Sequence, residues 1–166
     1  MVAHARHRAP LDLLHTTVAA EWIDYNGHMN DAAYAVVFSR SVDALMDRIG
    51  LDAGARRRTG RTLYTMQTML RYFREAKEGE ALAVSGQLLE HDNKRMRVWL
   101  EMSSASGDRL AASEQLLLSV EQSNAAAKAE PWSFETRSAL DALAHLHGAI
   151  PHPAEAGAGV TMRRKT

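Results

Sequence analysis

The hydrophobic period of this chain changes from helical to two near Thr62, and that change limits the folds open to it more than any other feature. Before it, Val42, Leu45, Met46 and Ile49 fall at i, i+3, i+4 and i+7, and Phe38 extends the stripe one turn back. This is the spacing of an α-helix with one apolar face. Asn30 or Asp31 can cap its start, and Gly50 can end it,. After Thr62 the period is two. Thr62 to Glu75, Glu80 to His91, Arg95 to Ser104 and Arg109 to Gln122 read as four long strands,. Turn signals stand between them at Lys77-Glu78-Gly79, His91-Asp92-Asn93-Lys94 and Ser106-Gly107-Asp108,. Links this short favour an antiparallel meander. Leu82, Val84 and Leu88 share one strand face, as do Met96, Val98, Leu100 and Met102 in the next,. One face of the sheet therefore needs an apolar cover, and the only long central helix available is Asp31 to Ile49. The simplest packing wraps the sheet around it.

The flanks add less. Residues 1–12 are basic, small and aperiodic and read as a flexible arm, while Leu13 to Trp22 has the composition of a strand,. Gly54 to Arg61 reads as a basic connecting loop around Thr59-Gly60, and Ser133 to His147, after Pro131, as a terminal helix,. Residues 148–166 read as a weakly ordered tail, which leaves one domain over 13–147,. At 166 residues the chain can bury one real core,.

Charge and cysteine content exclude whole classes of function. Lys+Arg and Asp+Glu number 20 each, so composition makes no case for nucleic acid or an anionic membrane surface,. With no cysteine there is no disulfide, thiolate metal site or thiol nucleophile,. No apolar run approaches a membrane span and the opening residues lack the apolar stretch of a signal peptide, so the expected location is the cytoplasm,. The eight histidines are scattered, no H-E-x-x-H spacing occurs, and neither a phosphate-cradling glycine loop nor a G-x-S-x-G elbow is present,. No metal site is expected.

Polar chemistry concentrates in Trp22-Ile23-Asp24-Tyr25-Asn26-Gly27-His28-Met29-Asn30, directly before the helix that starts at Asp31. The order strand, turn, long helix, strands resembles the hot-dog fold, an α+β arrangement with an antiparallel sheet wrapped around a long central helix. Asp24-x-x-Gly27, with Tyr34 seven residues after the glycine, resembles the active-site segment of the 4-hydroxybenzoyl-CoA thioesterase family. The string Asp24 to Asn30, together with His91-Asp92-Asn93-Lys94-Arg95, is similar to a subgroup of that family that includes betainyl-CoA thioesterases, linked to carnitine breakdown. The likeness spans roughly Thr16 to Glu121.

The resemblance implies an acyl-CoA thioesterase that needs no cofactor, coenzyme A being part of the substrate. It also implies a homodimer with sites at the subunit interface, and leaves open whether dimers pair into tetramers. Asp24 matches the family's catalytic aspartate, and Asp31 the position whose backbone N–H polarises the thioester carbonyl. Both roles make chemical sense. A carboxylate can attack the acyl carbon or deprotonate water, and N–H groups at the positive end of a helix can stabilise the developing oxyanion. A non-catalytic hot-dog module that binds acyl-CoA or a protein is the other reading, and an aromatic or short-chain acyl group the other substrate.

The remaining candidates are drawn from residue type and position. His28 either meets substrate or water or holds the loop, and Asn30 either caps the helix or serves as a catalytic amide. Asn26, Gly27 and Tyr34 are candidate substrate-binding residues that can equally be turn and pocket-wall residues. Arg74, Lys94 and Arg95 are candidates for the phosphates of coenzyme A. Glu114 shares its strand phase with Leu110, Ala112, Leu116 and Leu118, which would aim a carboxylate at the apolar side; a bulge turning it outward is the alternative,. Gln67 stands where the family often has a glutamate. Trp22, Tyr25 and Trp99 are candidates for an aromatic box around a quaternary ammonium.

Overall fold

The computed structural model describes residues 9–122 and 126–162. Its centre is α1, Asp31–Arg48, which forms where the apolar stripe predicts a helix. The side-chain oxygen of Asn30 accepts the Ala32 N–H at 2.9 Å, and Gly50, at φ +80°, lets Leu51 N–H return to the Met46 carbonyl. That left-handed conformation favours glycine.

The strands are β1 (Leu11–Thr17), β2 (Arg61–Tyr72), β3 (Ala81–His91), β4 (Arg95–Ser104), β5 (Arg109–Glu121) and the two-residue β6 (Lys128–Ala129). All pairs are antiparallel, in the order β1-β3-β4-β5-β2, with β6 added to β5. Among the described residues there are two further α-helices, α2 (Ala53–Thr59) and α3 (Phe134–His147).

The expected four-strand meander is therefore corrected to three, β3-β4-β5. Residues 73–80 make no hairpin but cross from one edge of the sheet toward the other. Phe73 and Arg74 N–H groups bond to Leu110 O, Met29 N–H to Ala76 O, and Gly79 N–H to Val18 O. This crossing lays Ala76 against the start of α1 and leaves β2 as an edge strand. The first strand is also shifted. β1 starts at Leu11, inside the expected arm, and ends at Thr17, before a single 3-10 turn at Ala20–Trp22. Residues 1–8 lie outside the described residues.

Leu82, Val84 and Leu88 of β3 and Met96, Val98, Leu100 and Met102 of β4 face α1 and are buried. Burial of this set is the main driving force for the wrap. Leu140 and Leu143 of α3 pack on the same core. Glu114 does not point there. Leu100 pairs with Ser113 and Val98 with Gln115, so Ser113, Gln115 and Leu117 face the helix and Glu114 faces outward. Gln115 Nε2 donates to Ser113 Oγ at 3.0 Å, so the inner face carries a satisfied polar pair where the sequence suggests none,.

The outer face explains the apolar phase of β5. Residues 150–159, expected to be weakly ordered, cross that face from β3 to β2. Gln87 Nε2 donates to Ile150 O at 3.1 Å, Ala156 packs on Leu89, Trp99 and Ala112, and Arg109 pairs with Glu155 at 2.8 Å. Gly157 N–H then donates to Glu114 at 2.8 Å and Arg71 to Gly159 O at 2.6 Å. Glu114 is further held by Arg97 at 2.7 Å. The basic loop over Gly54 to Arg61 is also corrected. It is α2, started by Asp52, which accepts the Ala55 N–H at 2.9 Å, and ended by Gly60.

His147, at the end of α3, is 3% exposed and its Nδ1 accepts the Leu88 N–H at 2.9 Å, where β3 bulges. Burial pushes its pKa below the usual 6.5. The folded protein therefore holds this ring neutral while the unfolded chain protonates it as pH falls through 6.5, so stability declines on acidification. The expected loss is up to about 1.4 kcal/mol per pH unit below that value. Urea unfolding from neutral to mildly acid pH checks it: a His147→Gln variant should lose that part of the slope.

Candidate active site

The polar loop is closed by its own backbone. Gly27 N–H donates to Asp24 O at 3.0 Å and Asp24 N–H to His28 O at 2.9 Å, with Gly27 at φ +79°. The Asp24 carboxylate accepts the Asn26 N–H at 2.8 Å, the side-chain-to-backbone bond aspartate makes at the start of a turn,. Met29, buried, anchors one end of the loop in the core, and Asn30 N–H ties the other to Trp22 O at 2.8 Å. Asn26 and Gly27 thus shape the turn that presents Asp24.

Asp24 opens on a cleft of about 660 Å³, a size suited to a small ligand,. Asp24, His28, Asp31 and Tyr34 line one side, and Tyr72, Phe73, Arg74 and Glu75 the other. Tyr72 OH donates to the Asp31 carbonyl at 3.2 Å, Tyr34 OH accepts the Ala76 N–H at 3.1 Å, and the two rings meet edge to face at 5.3 Å. Burial raises the pKa of both phenols, and the Asp31 charge raises that of Tyr72 further, so both stay protonated. His28 Nε2 lies 3.1 Å from Glu75. Arg74, the only Lys or Arg among the described residues that line the cleft, is bound by Asp108 at 2.5 Å and Glu80 at 2.9 Å. The Asp31 N–H, at the first position of α1, has no acceptor among the described residues. It is a donor left available at the positive end of a helix.

The fold thus brings Asp24, Asn26, His28, Asp31, Tyr34 and Arg74 around one cleft. Asn30 is spent as the helix cap. The other candidates do not join them within one chain. Gln67 is exposed in the middle of β2. Lys94 and Arg95 sit at the β3–β4 turn, where Arg95 bonds Asp92 at 2.7 Å; the Lys94 N–H and Arg95 hold that carboxyl at about 2. Glu114 is under the crossing segment on the outer face. The aromatic box is also corrected: Tyr25 is 98% exposed, Trp22 stacks with Arg40, and Trp99 is buried on the outer face. The aromatic groups at the cleft are instead Tyr34, Tyr72 and Phe73. Tyr72, Phe73 and Glu75 escape sequence reasoning because the crossing of residues 73–80 cannot be seen in a pattern of period two. Their only sequence signal is a pair of aromatics at the end of a strand, before charged residues.

A curled antiparallel sheet around one helix, with a carboxylate loop at the helix mouth, is the hot-dog fold. Residues 18–140 match the model of the Thioesterase-like superfamily, and the chain belongs to that family. It is 42% identical over 143 residues to the betainyl-CoA thioesterase of Pseudomonas aeruginosa, covering 86% of this chain and 89% of the relative. It is 38% identical to an L-carnitine dehydrogenase/betainyl-CoA thioesterase of Rhizobium meliloti, covering 93% of this chain and 31% of that longer protein. A crystal structure of a "putative thioesterase" from Pseudomonas putida KT2440 superposes with a TM-score of 0.79 at 34% identity, covering 94% of this chain and 99% of that one. A Staphylococcus aureus protein solved in complex with CoA superposes at 0.78 with 25% identity, covering 93% and 97%. Among the described residues no helix is long and apolar enough to cross a membrane.

Proposed function

We propose that the protein is a cytoplasmic, homodimeric acyl-CoA thioesterase that hydrolyses betainyl-CoA through Asp24. The observation that carries the acyl group is the character of the cleft. Asp24, Asp31 and Glu75 line it beside the aromatic faces of Tyr34, Tyr72 and Phe73, while Arg74 is neutralised by two carboxylates. Aromatic faces and carboxylates are the groups that recognise a quaternary ammonium. Relatives at 42% and 38% identity carry betainyl-CoA thioesterase in their names, and the second joins it to L-carnitine dehydrogenase, so we assign the reaction to carnitine breakdown.

In the chemistry we propose, the acyl carbon gains an oxygen and loses its bond to sulfur. Asp24 either attacks that carbon to give a mixed anhydride that water then opens, or deprotonates water for direct attack; the products in both cases are the free acid and coenzyme A thiol. The Asp31 N–H stabilises the oxyanion, and His28, held by Glu75, positions water or substrate,. No cofactor takes part. The dimer is supported by β2, a 12-residue edge strand with Tyr64, Met66 and Tyr72 exposed along it. An edge this long calls for a partner.

Betainyl-CoA and tert-butylacetyl-CoA have the same shape and differ by the charge, so their comparison tests the reading. Loss of a desolvated cation–π contact is worth about 2 kcal/mol, so kcat/KM for the cationic ester should be about thirtyfold higher. Equal rates would reassign the acyl group to the short-chain or aromatic class. Failure of the folded protein to release thiol from either ester, or from benzoyl-CoA, would leave a binding module.

A further inference from the structure

The outer face of β2 is covered at one end and bare at the other. Met69 and Arg71 stand beside Glu114 and Ala112 of β5, where residues 156–159 cross, and both are half-buried. From Tyr64 to Thr68 every residue of the strand is exposed. Tyr64 lies opposite Leu118 and Gln67 opposite Leu116, so both face outward with Glu114. Leu116 and Leu118 are themselves only half-buried. Gln122 Nε2 donates to the Tyr64 hydroxyl and fixes the ring there. The bare end is therefore apolar, and it begins where the crossing segment of its own chain does not reach.

That segment runs out at the same edge. It passes from Gln87 on β3 over Ala112 and Glu114 on β5 to Arg71 on β2, whose guanidinium donates to Gly159 O. β2 is the last strand of the sheet, so the chain after Gly159 has no further strand of its own sheet to lie on. Val160 and Met162, 95% and 96% exposed, stand clear of their own molecule. Side chains two residues apart in extended chain point the same way, so these two can present one apolar face. Apolar groups gathered at an unpaired strand edge mark a surface that a partner covers.

Two β2 edges paired antiparallel about a two-fold axis put the Arg71 end of one strand beside the Tyr64 end of the other. Paired strands lie about 4.8 Å apart, a gap that one or two residues of extended chain cross at about 3.3 Å each. We propose that Val160 and Met162 of each copy dock on the outer face of the other, against Tyr64, Leu116 and Leu118. The occupant of each bare end is thus a second copy of this chain, and the two crossing segments together cover the joined sheet. The inference rests on the β2-edged homodimer proposed above and on no assignment of substrate. Each copy is bare where its own segment stops short, and the exposed residues of that segment lie where the bare end of the other copy comes to rest.

The sequence has no cysteine, so engineered pairs report the contact without interference. Val160→Cys combined with Tyr64→Cys, or with Gln67→Cys, should give a disulfide-linked dimer on a non-reducing gel, whereas a bond within one chain runs as a monomer. Each single-cysteine variant should give no linked dimer. Val160→Asp together with Met162→Asp removes the apolar contact twice per dimer. Its dissociation constant, read by sedimentation equilibrium over a dilution series, should rise about a hundredfold or more. If the wild type is a dimer, absence of linked dimer from both cysteine pairs overturns the docking and leaves the β2 pairing in place. So does a dissociation constant for the aspartate variant within about threefold of wild type. A wild type that sediments as a monomer throughout overturns the dimer and the docking together. Neither measurement uses turnover, so an inactive protein removes the thioesterase assignment and leaves this test unchanged.

Discussion

Asp24→Asn should lower kcat by about a thousandfold while leaving the fold intact. The substitution is informative because Asp24 has a structural task as well: its carboxylate accepts the Asn26 N–H at 2.8 Å inside the turn closed by Gly27. An asparagine oxygen can accept the same bond, but a carboxamide neither attacks an acyl carbon nor takes a proton from water. Asp24→Ala removes both functions and should cost about 1 kcal/mol of stability in addition. Thiol release from betainyl-CoA and urea unfolding, measured on the two variants, separate the roles. A carboxylate that only shapes the turn would leave Asp24→Asn within about threefold of wild type, and such a result would remove Asp24 from the chemistry. A thousandfold loss in both, with stability lost in one, assigns the residue to the reaction.

What the sequence makes legible is whatever a repeat or a strong local signal carries. Phe38, Val42, Leu45, Met46 and Ile49 predict α1 because a helix shows its buried face every three to four residues,. Asn30 and Gly50 mark its ends by chemistry that stays within a few residues. The candidate loop is legible for the same reason. Contacts between distant segments are not. The phase of Glu114 with Ala112, Leu116 and Leu118 is read correctly, but which face of the sheet meets α1 depends on pairing with β4, and the outer face is apolar because residues 150–159 cover it. A period of two identifies a shared face and cannot say what lies upon it. The same limit hides Tyr72, Phe73 and Glu75, which reach the cleft only because residues 73–80 cross the end of the sheet and pin Met29 to Ala76. α2 is missed because its seven residues are too few to show a helical period,. Its arginines then read as solvated loop charge.

Phe38→Ala should destabilise the protein by about 3–5 kcal/mol, the cost of removing a fully buried aromatic ring from a core that cannot collapse around the space. Phe38 is 0% exposed on the face of α1 that packs into the curl of β3, β4 and β5. A loss of that size is a large share of the roughly 5–15 kcal/mol that holds a domain of this kind together. Val36→Ala, on the exposed side of the same helix, should change stability by less than about 0.5 kcal/mol,. Urea unfolding of the two variants checks the contrast, and a cost below about 1 kcal/mol for Phe38→Ala would mean that α1 is not the structural centre. The same variant tests how the site depends on the scaffold. Asn30, Asp31 and Tyr34 occupy the mouth of α1, and Met29 and Ala76 fasten the loop to it. These local bonds do not involve Phe38, so thiol release by Phe38→Ala should fall in proportion to the folded fraction and recover when unfolding is suppressed by an osmolyte such as sucrose. Asp24→Asn should show the reverse, a stable molecule whose activity no osmolyte restores. Opposite responses of this kind separate the helix as scaffold from the loop as reactive element, although both sit on the same few residues before and after Asn30.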